Sequence, residues 1–189
     1  MKVRELGIAG AWVFEPTVFP DSRGSFVAPF QGPVFREALG FDLVVKQTNQ
    51  SVSAAGVVRG VHFADVPPGQ AKYVSCPSGR LLDVVVDVRV GSPTFGQWEA
   101  VELDAGSARA VYLTEGLGHA FVALEDDTIA TYLCSEPYNP SAEHGISPLD
   151  PELGLPWPSG LDLVLSDKDR DAPSLAEAAA SGLLPTWAG

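Results

Sequence analysis

Cysteine is scarce in this chain. Cys76 and Cys134 are the only two in 189 residues, far apart and outside any CxxC spacing, which removes zinc-ribbon and dithiol redox motifs. Nothing in the sequence points to export, so both are read as reduced thiols acting as small buried hydrophobes. Basic charge is short as well: twelve Lys and Arg stand against 24 Asp and Glu, for a net charge of −12. Nucleic acids and anionic membranes need a basic footprint, so neither is expected as a partner. A small anion remains possible if the few cations gather in one place. Long apolar runs are missing too, none approaching the ~20 residues that span a bilayer. The opening MKVRELGIAGAW has no apolar stretch behind its two basic residues, so no signal peptide is predicted and a cytoplasmic location is expected. There is no Gly-rich dinucleotide fingerprint.

Helical signal is thin. VFREALG (34–40) suits a short helix closed by Gly40. Ser174 with Glu177 three residues on forms a capping box that opens SLAEAAASGLL. What the chain has in quantity is short β-type segments punctuated by Gly and Pro. AWVFEPTVF, GSFVAPF, DLVVKQTNQSV, GVVRGVHF, KYVSCPS, LLDVVVDVRV, WEAVEL, ARAVYL, HAFVAL and TIATYLCS all have the β-branched and aromatic character of strands. Residues 81–90 alternate most clearly. Leu82, Val84, Val86, Val88 and Val90 make one dry face, and Asp83, Asp87 and Arg89 mark a face that is polar or looks into a lined cavity. The segment from Pro137 to Pro158 is Pro-rich and aperiodic, and reads as an ordered surface loop. Many short strands with few helices predict one all-β domain over 1–189, a sandwich or barrel.

The polar residues in VVRGVHFADVPPGQAKYV (57–74) stand out, because His62, Arg59 and Lys72 share an otherwise apolar stretch. A metal-binding barrel usually offers two His one residue apart, but position 60 is Gly and position 64 is Ala. His119 and His144 could still complete a three-His site in space. As a base, His62 could take a proton from carbon with Lys72 stabilising the enolate oxygen and Arg59 gripping a phosphate. A hydrogen-bonded strand-end His beside solvated cations explains the same residue types, and both readings stay open. Gln47, Asn49 and Ser51 share one face by period two, either an amide ladder for phosphate, ribose or sugar hydroxyls or the polar side of an edge strand. Arg23 lies in a DSRGSF turn, and His119 begins a strand after GLG. Tyr132, Tyr138 and Glu143 fall in TYLCSEPYNPSAEHGI. LSDKDRDAP (165–173) reads as a charged loop, one of whose Asp residues could orient His62; Asp83 is the rival for that role.

In this order the segments closely resemble the dTDP-4-dehydrorhamnose 3,5-epimerase family, from about Ile8 to the C-terminal helix. The matching pieces are DSRGSF, QTNQSVS, VVRGVHF, PPGQAKYV, LLDVVVDVRVGSPTFGQW, VYLTEGLGHAF, TYLCSEPYNPSAEHGI and LSDKDRDAP. The resemblance implies a cupin-like jelly-roll barrel, a homodimer with strand exchange, no metal and no cofactor. It also implies an isomerase that inverts C5, C3 or both in a dTDP-4-keto-6-deoxyhexose during deoxysugar biosynthesis. By it, His62 matches the base, Asp169 the carboxylate that orients it, Tyr132 the acid on the opposite face, and Lys72 the partner of the C4 oxygen. Arg23, Gln47, Asn49, Arg59, His119, Tyr138, Glu143 and Lys168 match positions that hold nucleotide, diphosphate or sugar, with Arg23 reaching in from a partner subunit. The chain departs from the pattern at Ala28, where a nucleotide-contacting Glu is common, and at His144, where Arg is frequent. These departures resemble the branch serving antibiotic sugars. The alternatives are a metal-dependent cupin enzyme and a non-catalytic sugar-nucleotide binding protein.

Overall fold

The computed structural model describes residues 1–189. Its first half holds β1 (Lys2–Glu5), β2 (Ala11–Glu15), β3 (Val18–Asp21), β4 (Gly24–Val27), helix α1 (Gly32–Leu39), β5 (Gln47–Ser53), β6 (Val58–Ala64), β7 (Lys72–Ser78) and β8 (Arg80–Val86). The second half holds β9 (Trp98–Asp104), β10 (Ala110–Leu113), β11 (Gly118–Ala123), β12 (Thr128–Cys134), β13 (Glu143–Gly145), α2 (Asp167–Arg170) and α3 (Leu175–Ala180). One sheet runs β1-β2-β10-β7-β12-β5 and the other β13-β6-β11-β8-β9, while β3 and β4 form a separate hairpin. No helix is long and apolar enough to cross a membrane.

The two sheets enclose a core of Leu6, Ile8, Val13, Val74, Leu81, Val85, Val111, Leu113, Phe121 and others, nearly all fully buried. Each sheet is also covered outside. Against the first lie α1 and an aromatic cluster in which Phe35 stacks on Phe14 and meets Tyr112 edge-on at 5.0 Å. Against the second lie α3 and the C-terminal segment, burying Val61, Val84, Val86, Ile146, Ala178 and Leu184. Removing such side chains from water stabilises by roughly 1.5–3 kcal/mol each, so the outer layers contribute to the core as much as the space between sheets does.

Both helix-end signals appear as read. Gly40 closes α1 in the left-handed region at φ 86°, and Ser174 and Glu177 form a reciprocal capping box at α3. Three expectations need correction. Strand β8 ends at Val86 rather than 90; the Asp87 backbone still pairs with Gly96 and Gln97, and its side chain then gathers the turn by accepting from Arg89, Ser92 and Thr94. Its even face lies under the outer layer through Val84 and Val86, and its odd face puts Leu81 and Val85 into the inter-sheet core beside Asp83, which bonds His119. The aperiodic 137–158 segment contains β13, which adds to the edge of β6, and buries Leu153. The charged loop LSDKDRDAP contains a helical turn, α2, with Asp169 buried.

Candidate active site

A cavity of about 600 Å³ opens between the ends of the two sheets, within the size range of small-molecule sites. Alternation along β5 turns Asn49 and Ser51 into it, next to Tyr132 on β12 and Lys72 on β7. The facing wall carries Arg59 and His62 on β6, His119 and Phe121 on β11, and Glu143 on β13, and α2 brings Lys168 and Asp169. Ten of the twelve residues singled out in the sequence therefore line one cavity.

His62 Nε2 lies 2.6 Å from Asp169 Oδ1. With Nε2–H donating to the carboxylate, Nδ1 is left as an acceptor. Asp169 reaches this position because the chain entering α2 is anchored twice. Val164 pairs with the chain at Gly56–Val58, and Ser166 caps the helix by accepting from the Asp169 N–H at 3.1 Å. Burial pushes the Asp169 carboxyl up, but hydrogen bonding and charge from His62, with Ser166 and the Gly60 N–H, outweigh it and hold the group below its ordinary value. Asp83 is not the partner of His62. It sits on β8, where its Oδ2 is 2.6 Å from His119 Nε2 in a second, fully buried imidazole–carboxylate pair. The register pairs His119 with His62 across β11 and β6, which sets the two pairs side by side.

Tyr132 stands on the opposite wall. Its ring meets His119 edge-on at 5.7 Å and tilts over Phe121 at 6.5 Å. Burial pushes the phenol well above its ordinary value, against a smaller opposing effect of Ser51, so it is held as a proton donor. Burial likewise lowers the Lys72 ammonium, opposed by the charges of Glu143, Cys134 and Asp83. A negative charge arriving beside Lys72 would favour its charged form.

The cations gather here. Of the twelve Lys and Arg, seven are paired with carboxylates: Arg23, Arg36, Lys46, Arg80, Arg89, Arg109 and Arg170. Three of the other five, Arg59, Lys72 and Lys168, line this cavity. Arg59 is aimed by hydrogen bonds to Ser53 Oγ at 3.2 Å and the Val52 carbonyl at 3.4 Å. Unpaired cations at one concave site make it suited to an anion despite the acidic surface.

Gln47 and Arg23 fall outside the cavity lining. Gln47 stands behind Asn49, donating to its Oδ1 at 2.6 Å and accepting from the Tyr138 N–H at 3.0 Å, so it braces two lining residues. Arg23 is at the tip of the β3–β4 hairpin, bound to Asp21. His144 bonds Asp65 at 2.8 Å outside the cavity, and no three His, Cys, Asp or Glu converge as a ligand set. Ser51, Gln70, Phe121 and Ser166 line the cavity without having been assigned to it. Ser51 alone had a signal, its shared period-two face with Asn49.

Two antiparallel sheets packed face to face, with an anion-suited cavity at one end, define an enzyme on the cupin-like jelly roll. A family profile described as dTDP-4-dehydrorhamnose 3,5-epimerase matches residues 5–177, and the chain belongs to that family. It is accordingly an isomerase of the epimerase class. The dTDP-4-dehydrorhamnose 3,5-epimerase of Mycolicibacterium smegmatis is 57% identical over 188 residues, covering 100% of this chain and 92% of that protein. The crystal structure of NovW, a 4-keto-6-deoxy sugar epimerase from the novobiocin cluster of Streptomyces spheroides, superposes with a TM-score of 0.97 at 54% identity, covering 100% of this chain and 94% of the other. ChmJ, a 3'-monoepimerase from Streptomyces bikiniensis in complex with dTDP-quinovose, superposes at 0.94 with 53% identity, covering 96% and 92%.

Proposed function

We propose that this single domain, 1–189, epimerises a dTDP-4-keto-6-deoxyhexose at C5, C3 or both, as a step in deoxysugar biosynthesis. The observation that carries the mechanism is the placement of His62 and Tyr132 on opposite walls of one cavity, with Lys72 beside them. A 4-keto group acidifies the hydrogens on C3 and C5. His62 Nδ1 takes one of them, while Asp169 holds the ring and balances the charge it gains. The electron pair moves onto the C4 oxygen, where Lys72 meets the enolate. Tyr132 then delivers a proton to the other face of the same carbon, and the configuration inverts.

Arg59 and Lys168 fit the diphosphate, with Asn49, braced by Gln47, and with His119, Tyr138 and Glu143 around sugar and base. Arg23 fits the same ligand only from a second subunit. The hairpin that carries it exposes a cross-strand aromatic pair, Phe19 and Phe26, at 58% and 69%, which supports a homodimer built by exchanging this hairpin. The direct test is deuterium incorporation from D₂O into dTDP-4-keto-6-deoxyglucose, followed by NMR at C3 and C5. Exchange at either carbon is expected, and folded protein that exchanges neither would overturn the reading.

A further inference from the structure

Two buried side-chain polar atoms in the molecule lack a hydrogen-bond partner, Ser51 Oγ and Asp83 Oδ1. Buried polar atoms are nearly always paired, so each of these calls for a reason. Asp83 pairs with His119 through its other oxygen, and the His119 ring meets that of Tyr132 edge-on. In the β5–β12 register Tyr132 lies opposite Asn49 and Ala130 opposite Ser51. Ser51 is thus the diagonal neighbour of Tyr132 on the cavity face, and both residues line the cavity.

The Tyr132 ring has little freedom between His119 and Phe121. The O–H bond is what remains free, since it rotates about the phenolic C–O. The Ser51 hydroxyl is the cross-strand diagonal neighbour of that donor on the same cavity face, yet holds no hydrogen bond. An acceptor beside a rotating donor biases where the donor points. Carbons C3 and C5 lie on either side of C4, so with the C4 oxygen fixed at Lys72 the direction of the phenol proton selects between them. The free oxygen of Asp83 keeps negative charge near the ring, which favours phenol over phenolate.

We propose that Ser51 is a positioning residue for Tyr132, and that its hydroxyl sets the balance of proton delivery between C3 and C5. The proposal rests on the assignment of Tyr132 as the acid. Its test compares wild type, Ser51→Ala and Ser51→Thr, with exchange rates at C3 and C5 measured separately by NMR in D₂O and dTDP affinity by calorimetry. Ser51→Ala is expected to change the C3:C5 rate ratio by about fivefold, the weight of one ordinary hydrogen bond, with dTDP affinity held within about twofold. Ser51→Thr, which keeps the hydroxyl, should restore the wild-type ratio. Where wild type exchanges one carbon only, the alanine variant should open the second or slow the first by the same factor. Ser51→Cys, close in shape and a weak acceptor, should show the alanine effect and serves if the alanine variant does not fold. An unchanged ratio in both Ser51→Ala and Ser51→Cys overturns the proposal. So does an equal fall at both carbons that Ser51→Thr fails to rescue. No exchange by wild type would overturn the epimerase reading itself, and this inference with it.

Discussion

Base and acid on opposite walls separate cleanly in experiment, because each half of an inversion can run without the other. With Tyr132→Phe the His62 imidazole can still remove a proton, exchange it with solvent and return deuterium to the same face. Exchange should therefore persist while inversion falls by about 10²–10⁴-fold, the usual weight of one general acid. With His62→Ala both should fall together by a similar factor. Exchange measured by NMR and product stereochemistry measured on the same samples separate these cases. Inversion by Tyr132→Phe at the wild-type rate would remove Tyr132 from the acid role. The Asp169 carboxyl, held low by its contact with His62, stays ionised through neutral pH and keeps the imidazole in one orientation.

That contact depends on elements too short to read in a sequence. Helix α2 has four residues, about one turn, and no 3.6-residue period can show in so short a stretch. From residue types alone Asp169 was legible only as one of several acids in a charged run; the family resemblance chose it over Asp83, which the structure pairs with His119 instead. Strand β13 was hidden for a related reason: it exists because it adds to β6, not because Glu143–Gly145 favours a strand. By contrast β5, β6, β7, β11 and β12 were visible from their β-branched patterns, and with them most of the cavity wall. Two substitutions test the short elements. Ser166→Ala removes the cap of α2 and should cost about 1 kcal/mol of stability, read as the shift of the urea midpoint. It should also lower exchange, because Asp169 loses its fixed position; a stability loss with undiminished exchange would show that α2 does not tune the base. Gly60→Ala is more severe. Gly60 has φ 122°, and a Cβ there would come within 2.6 Å of the Ala120 backbone. The β6–β11 pairing that aligns His62 with His119 would have to part, at a cost on the order of 3 kcal/mol, visible as a matching fall in the urea midpoint.

At the scale of the whole molecule, a buried charge cluster outside the cavity lining joins three distant segments of the chain. Asp87 accepts from Arg89 through Nε and a terminal nitrogen at 2.8 Å each, and from the hydroxyls of Ser92 at 2.5 Å and Thr94 at 2.7 Å. Arg89 in turn lies 4.2 Å from the Trp187 ring centroid and donates to the Ala9 carbonyl at 3.0 Å. One ion pair thus ties the N-terminal loop, the turn after β8 and the C-terminal segment together. Burial pushes the Asp87 carboxyl up, but Arg89, Ser92 and Thr94 together hold it below the ordinary 3.8. A carboxyl lowered in the folded state stabilises fully above its unfolded value, and that contribution disappears as pH falls through the lowered folded value. Asp87→Asn leaves Arg89 without its counter-charge and should cost about 3 kcal/mol at pH 7. The gap in melting temperature between the two proteins should hold from pH 7 to about pH 5 and close progressively below 3.8, since other carboxyls are common to both. Calorimetry across that range decides it: a gap that stays constant down to pH 3 would show that the Asp87 carboxylate charge contributes nothing to holding these segments together.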